Sequence, residues 1–517
     1  MHRLPLAFGL ALLYASAYFL PFLTPYSLYF VPSFFDYVVV PSLLSVCLLT
    51  PAFVLCGSRV VAPAVRRVLM FVGTILLTFI AAKSMLDAAG YPWVKLLAFF
   101  SIPVHVGATV EFRLERMVLV LVAAGGAMLL VYLNRHRIPK LLRFHSALGY
   151  SFLFLAIYRC VAADMVVPEP AKLIPPAIAA APPDVARRVV WVIFDEMDYG
   201  LAFGANREAA SRLPNFSRLA AIAVNATDAY APGRDTLYSI PALLTGTPLS
   251  GVAIDPREHL NLRDRQGKTY PFSTENSVFS RLPGGAASAS VLGFYHPYCK
   301  VMPALQSCHS TYLGNAGRWF DSLTFFSEAL FSSLRHWDGA VQNLPEWMWF
   351  SFGPMYRASS DVLSRLDGAM RNQASALDFI HLNVPHLPNV YMQRQMGQPI
   401  YGEADAYRKN LAGADQVLGR IVRDLEAGAN KQQILLIVSS DHWLRTHSAT
   451  PANVPFFAWI VGSRSGLNVS QPLSTVHSAQ LALDFIGGKI NTQSEIANAL
   501  GRANFSPPWI APEDYKY

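Results

Sequence analysis

The chain has 517 residues, of which 53% are hydrophobic and 15% charged, a composition too apolar for an ordinary soluble protein. Its formal charge of +8 is uneven: residues 1–165 carry 13 of the 42 Lys and Arg and 5 of the 34 Asp and Glu, which leaves 29 of each in residues 166–517. The larger part is therefore neutral, offers no basic stripe for nucleic acid, and leaves the positive charge beside apolar segments, where it signals membrane topology.

Apolar segments of roughly the 17–25 residues that span a bilayer lie near 4–23, 37–56, 68–86, 117–133 and 146–164. The first lacks a small-residue cleavage site and is followed by others, so it reads as a span and not as a signal peptide. A sixth run, "PWVKLLAFFSIPVHVGA" (92–108), is broken by Lys95, Pro103 and His105. Arg59, Arg66 and Arg67 share the cytoplasmic side with Arg3 and with Arg135, Arg137, Lys140 and Arg143 only if 92–108 does not cross. That run is expected to lie at the outer surface as an interfacial helix. Five spans then make residues 1–165 a helical transmembrane domain and place all that follows outside. Residues 166–186 form a stiff linker, with six prolines between 168 and 183. Residues 187–517, about 330 in number, suffice for one large domain with a buried core.

Within that domain, "RRVVWVIFDEMDYG" reads as a buried strand, Val189 to Phe194, ending in Asp195 and Glu196. "ALDFIHLNVPHLP" reads as a second, with His381 and His386. "KQQILLIVSSDHW" reads as a third, ending in Asp441 and His442. Between them "EADAYRKNLAGADQVLGRIVRDLEAG" is an amphipathic helix. Alternating strands and helices imply an α/β domain with a mostly parallel central sheet and helices on both faces. Strand ends of such sheets are where ligands bind. Carboxylate, imidazole and hydroxyl together suit a divalent metal, zinc or manganese most readily. Each of these residues alone is an ordinary hydrogen-bonding group. In "YHPYCKVMPALQSCHS", Cys299 and Cys308 form a local disulfide if the domain faces an oxidising compartment, and a free pair otherwise.

The stretch "GRDTLYSIPALLTG" (233–246) sets Thr236 and Ser239 at a helix start. Metal coordination lowers a threonine's pKa and makes it a nucleophile, and a helix N-terminus behind it stabilises an anion. The competing reading is that Thr236 or Ser239 simply caps the helix.

These motifs together resemble the alkaline phosphatase superfamily, in its sulfatase-like branch, over about residues 187–465. In "LPNFSRLAAIAVNATDAYAPGRDTLYSIPALLTG" the nucleophile position falls on Thr236, ahead of an "ALLTG"-type helix. Sulfatases carry Cys or Ser there, with Pro and Arg just downstream where this chain has Tyr238 and Ile240. Threonine is the pattern of phosphoethanolamine transferases, lipoteichoic acid synthases and nucleotide phosphodiesterases. The first two also resemble the chain in their five spans and extracytoplasmic catalytic domain. In "HLNVPH", His386 falls on a substrate-binding histidine of the phosphoethanolamine transferases, with His381 on the same substrate side. The resemblance implies one divalent metal, zinc before manganese, held by Asp195, Thr236, Asp441 and His442. Asp195 stands where those enzymes have Glu, and Glu196 is a second candidate. Those enzymes place a further histidine well beyond the Asp-His pair; here His447 comes only five residues after His442, and the expectation is that His447 fills that role or that Arg445 binds the phosphate instead.

The resemblance further implies transfer of phosphoethanolamine or phosphoglycerol from a membrane phospholipid, through a phospho-threonine, to lipid A, a periplasmic glucan or another surface glycan, at the bacterial inner membrane. A membrane-anchored phosphodiesterase or sulfatase is one alternative, and a catalytically inactive tethered scaffold is the other.

Overall fold

In a computed structural model of the chain, the described residues are 3–20, 29, 39–56, 58, 60–88, 135–162, 186–204, 213–254, 259–311, 354–386, 402–428, 432–445 and 451–508. They fall into two compact units, residues 3–162 and residues 186–508. The 92–108 run, the 117–133 segment and nearly all of the 166–186 linker lie outside the described residues.

The first unit contains helices α1 (Arg3–Phe19), α2 (Val40–Cys56), α3 (Pro63–Ala88) and α4 (Ile138–Ala162). Only α3 and α4 contain runs long and apolar enough to cross a membrane, Pro63–Ala82 and Ile138–Tyr158. At 17 residues each, α1 and α2 reach about 25 Å against a hydrocarbon core of about 30 Å. The expectation of five spans is therefore not reached among the described residues. Helix also forms further toward the basic clusters than apolarity suggests: Arg66 and Arg67 sit inside α3, and Lys140 and Arg143 inside α4. Long basic side chains can extend their heads to an interface from within a helix.

This unit buries an apolar cluster that includes Leu13, Leu77, Ile80 and Phe152, but its outward faces are apolar too and polar groups lie inside it. On α3, Val65, Val68, Leu69, Val72 and Leu76 are exposed, as are Phe144, Phe154 and Ile157 on α4. Ser16, Thr74, Ser84, His145 and Ser146 are buried. Ser16 and Ser84 join α1 to α3 by a 2.8 Å hydrogen bond, and Thr78 Oγ1 lies 3.2 Å from His145 Nε2 between α3 and α4. A Cβ on Gly149 would fall 1.9 Å from the Gly9 carbonyl oxygen, so α1 and α4 touch backbone to backbone there.

The second unit is built on an eight-stranded sheet of β1 (Arg187–Asp195), β2 (Val224–Ala226), β3 (Ala289–Phe294), β4 (Ser307–Thr311), β5 (Leu377–Pro385), β6 (Gln433–Ser440), β7 (Phe456–Ile460) and β8 (Leu467–Val469). Its order is β8-β2-β7-β6-β1-β5-β3-β4. The pairs from β6 to β4 are all parallel, and only β7 runs against its neighbours. This is the mixed α/β, mostly parallel sheet that the alternating pattern implies.

Every residue of β5 is buried, as is every residue of β1 after Arg187. Continuous apolar runs of this kind suit strands covered on both sides. One face buries Val190, Val192, Phe194, Ile380, Leu382 and Val438 against α5 (Pro214–Ile222), α7 (Pro354–Arg371) and α8 (Gly402–Gly428). The other is covered by α9 (Ser478–Ile486), which packs on α6 (Thr236–Thr245). Gly246 ends α6 in the left-handed conformation, φ 67°, which a side chain would oppose.

A disulfide joins Cys299 and Cys308, with Cα atoms 5.5 Å apart. It ties the short helix Tyr298–Val301 to β4.

Candidate active site

The carboxyl ends of β1 and β6 pair in register through Phe194 and Ser440, which sets Asp195 beside Asp441. Asp441 is the joint of the site. Its Oδ1 accepts from the main-chain N–H of Glu196 (3.0 Å) and of His442 (2.9 Å), and its Oδ2 accepts from the Thr236 hydroxyl (2.7 Å).

Asp235, not Thr236 or Ser239, caps α6: its backbone is extended and its carboxylate accepts from the Tyr238 N–H at 3.1 Å. Thr236 is the first residue of the helix. Its hydroxyl is committed to Asp441 and lies 3.3 Å from His442 Nε2. The positive end of the helix dipole faces the same point.

Two imidazoles complete the cluster. His442 Nδ1 lies 3.0 Å from the Trp443 carbonyl oxygen, and His381 Nδ1 lies 3.0 Å from that of Phe294. A carbonyl can only accept, so both Nδ1 atoms carry the proton and both Nε2 atoms present a lone pair. His442 Nε2 is 3.4 Å from Asp195 Oδ1 and 3.5 Å from Asp441 Oδ2. Single ligand atoms of Asp195, His381 and Asp441 lie within 4.8 Å of one another, all buried.

Burial pushes His442 down to about 3, helped by the Arg445 charge, and His381 down to about 4, so both rings are neutral. Burial raises Asp195 well above the ordinary carboxylate range, and the Asp441 and Glu196 charges raise it further. Among the described residues, Asp195 Oδ1 and His381 Nε2 have no hydrogen-bond partner. Buried lone pairs that face one another in this way are satisfied by a proton held on Asp195 or by a bound cation. The donor set of carboxylate, imidazole and hydroxyl therefore fits a divalent metal.

The remaining candidates separate. His381, expected on the substrate side, belongs to the carboxylate cluster, because it lies within β5 opposite Ile193 and not at the strand end. Glu196, the second metal candidate, adopts φ 61°. Its Oε1 accepts from Arg445 Nε (3.1 Å) and its Oε2 lies 3.4 Å from His386 Nε2. The Tyr407 hydroxyl donates to the Glu196 carbonyl at 2.8 Å and accepts from the Asp198 N–H at 2.9 Å, which braces that turn. His386 is placed by Asn410, whose side-chain amide donates to the carbonyls of Pro385 (3.2 Å) and His386 (3.3 Å). His447 lies outside the described residues.

Sequence reasoning missed His296. It lies two residues beyond the end of β3, and recognising "ASVLGF" as a strand would have pointed to it. His296 is buried, and its Nε2 donates to the Thr236 carbonyl at 3.1 Å. Burial pushes it down to about 4. Unfolded, it titrates near 6.5, so between those values the unfolded chain holds a proton that the folded chain does not. The corresponding stability is complete above about pH 6.5 and is lost as the pH falls toward 4, by about 3 kcal/mol. His296→Gln keeps an N–H donor and cannot be protonated. Its melting temperature is expected to fall less steeply across that window than that of the parent chain, by about one proton's contribution to the slope. An unchanged slope contradicts the assignment.

An α/β chain with two carboxylates and an imidazole at the strand ends of a mostly parallel sheet, a second imidazole within a strand and a hydroxyl at a helix start is thus the class that fold and site define. No family model matches the chain, and no curated protein matches it. Solved structures similar to it include the PsFucS1 sulfatase from Pseudoalteromonas sp. (14% identity over 59% of this chain and 69% of that one, TM-score 0.39). The lipoteichoic acid synthase LtaP from Listeria monocytogenes is similar over 60% of this chain and 74% of that one (12% identity, TM-score 0.37). The soluble domain of lipooligosaccharide phosphoethanolamine transferase A from Neisseria meningitidis is similar over 58% and 88% (13% identity, TM-score 0.37). All are members of the alkaline phosphatase superfamily.

Proposed function

We propose that the chain is a membrane-anchored, metal-dependent phosphotransferase of the alkaline phosphatase type. It moves phosphoethanolamine or phosphoglycerol from a membrane phospholipid to an extracytoplasmic glycan or lipid such as lipid A or a periplasmic glucan. The observation that carries this reading is Thr236: its hydroxyl, 2.7 Å from Asp441 Oδ2 and 3.3 Å from His442 Nε2, is released from helix capping by Asp235.

Asp195, Asp441, His442, His381 and the Thr236 oxygen are the residues that would hold a divalent cation, zinc or manganese. Such an ion lowers the pKa of a bound hydroxyl and stabilises charge on phosphoryl oxygens. Asp441 orients the Thr236 hydroxyl and accepts its hydrogen bond. In the first half-reaction the Thr236 Oγ–P bond forms and the P–O bond to diacylglycerol breaks, and diacylglycerol leaves with the proton. In the second, the acceptor oxygen bonds to phosphorus, the Thr236 Oγ–P bond breaks, and Thr236 regains a proton from the acceptor. His386, half-buried beside the cluster, faces the phosphoryl group.

Two features support the membrane setting. The outward faces of α3 and α4 are apolar while polar groups lie between the helices, an arrangement suited to lipid and not to water. The Cys299–Cys308 bridge suits an oxidising, extracytoplasmic compartment.

The test is to incubate the purified full-length chain with phosphatidylethanolamine or with phosphatidylglycerol, quench in acid, and analyse the Thr236 peptide by mass spectrometry. A headgroup adduct on Thr236 together with free diacylglycerol is expected from one of the lipids. Neither product from either lipid rejects the proposal.

A further inference from the structure

Beside the cluster stands a second polar group, Glu196, Arg445 and His386. Glu196 directly follows Asp195, yet its left-handed backbone turns the carboxylate onto the guanidinium. Three anchors hold that conformation: the Asp441 carboxylate on its N–H, the Tyr407 hydroxyl on its carbonyl and Arg445 on its side chain. A non-glycine residue in this region is unfavourable by itself and persists where its surroundings over-determine it, commonly at functional sites.

Glu196 occupies Nε of Arg445 and so leaves the outer fork of the guanidinium uncommitted to it. Nη2 points toward His386 Nε2 at 3.4 Å, and among the described residues Nη1 has no acceptor. The Glu196 side chain is 5% exposed and that of Arg445 is 35% exposed, so the pair runs from the interior to the rim. The rings of His386 and His442 are 6.4 Å apart, which sets this rim next to the buried cluster. Electrostatics explain the pairing. A bare guanidinium here would oppose a divalent cation held by Asp195 and Asp441. Neutralised by Glu196, it can stay beside one and still offer a planar pair of donors, the geometry that matches two oxygens of a phosphoryl group.

We infer that Arg445 binds the anionic oxygens of the phospho-ester substrate, and that Glu196 is the positioning residue that holds it there and not a metal ligand. The inference rests on the phosphotransferase reading of the same site and extends it to the residues that recognise the substrate's charge.

The test uses the full-length, zinc-loaded chain in detergent with three readouts: bound zinc per chain, affinity for inorganic phosphate by calorimetry, and kinetics on bis(p-nitrophenyl) phosphate. Arg445→Ala is expected to keep its zinc, to bind phosphate at least about tenfold more weakly, and to raise KM more than it lowers kcat. Arg445→Lys is expected to recover part of the affinity, since it restores charge without the fork. Glu196→Gln is expected to keep its zinc and to weaken phosphate binding by several fold. Loss of zinc in Glu196→Gln overturns the assignment of Glu196, and unchanged phosphate affinity in Arg445→Ala overturns that of Arg445. If Glu196→Gln does not fold, Glu196→Gly suits the left-handed backbone and removes the carboxylate, with the same two criteria. Zinc content and phosphate affinity are read without turnover. A failure of the headgroup-transfer reading, with no adduct on Thr236, is thereby distinguished from a failure of this one.

Discussion

Thr236→Ala is expected to leave a folded, membrane-inserted protein whose headgroup transfer falls by at least about a thousandfold. Loss of its hydrogen bond to Asp441 costs about 1 kcal/mol of stability, too little to unfold a domain of this size. Asp235→Ala is the control. Removing the cap costs about 1 kcal/mol, or about 2–4 °C in a large domain, while turnover follows the folded fraction. Thr236→Ser retains a hydroxyl and should keep partial activity. Transfer from a lipid with a labelled headgroup measures turnover, and a thermal melt reports folding. Near-normal turnover in well-folded Thr236→Ala would remove the nucleophile from the mechanism and return the inactive scaffold as the better account.

Removal of the metal should have an effect of similar size on activity and a larger one on stability. In the apo cluster, the Asp195 and Asp441 carboxylates face each other and two Nε2 lone pairs in a buried space. A cation that binds only the folded state adds about 4 kcal/mol at a thousandfold excess over Kd. A chelator is therefore expected to abolish turnover and lower the melting temperature by about 8–16 °C, and readdition of zinc or manganese to restore both. His442→Ala should co-purify with little metal, because no neighbouring donor replaces its Nε2. Full occupancy in that variant would show that the cation is held elsewhere.

Several features of this protein were legible in its sequence because they are local. The continuous β-branched and aromatic runs at Val189–Phe194 and Ile434–Val438 can be buried on both faces only as central strands, and both lie within strands of the sheet. The 3.6-residue pattern after Glu403 becomes the helix Gly402–Gly428. Closeness in sequence, with an inferred oxidising compartment, suggested the pairing of Cys299 with Cys308. Asp195, Asp441 and His442 could be singled out because each follows an apolar strand.

What periodicity could not determine is where a side chain points once distant segments meet. His381 joins the carboxylates only because β5 pairs with β1 in the register that sets it opposite Ile193; a one-residue slip would turn it to the other face. Glu196 leaves the cluster because a bulge at Asp195 and a left-handed φ redirect it, and both depend on Asp441, Tyr407 and Arg445 from elsewhere in the chain. The choice between cap and nucleophile for Thr236 was equally beyond the local sequence. Asp235 and Thr236 are both competent caps, and only the arrival of Asp441 from more than 200 residues away gives the threonine hydroxyl a better acceptor. Local sequence sets which segments are buried; register and hydrogen-bond partners set which buried groups meet, and that chemistry exists only in the folded chain.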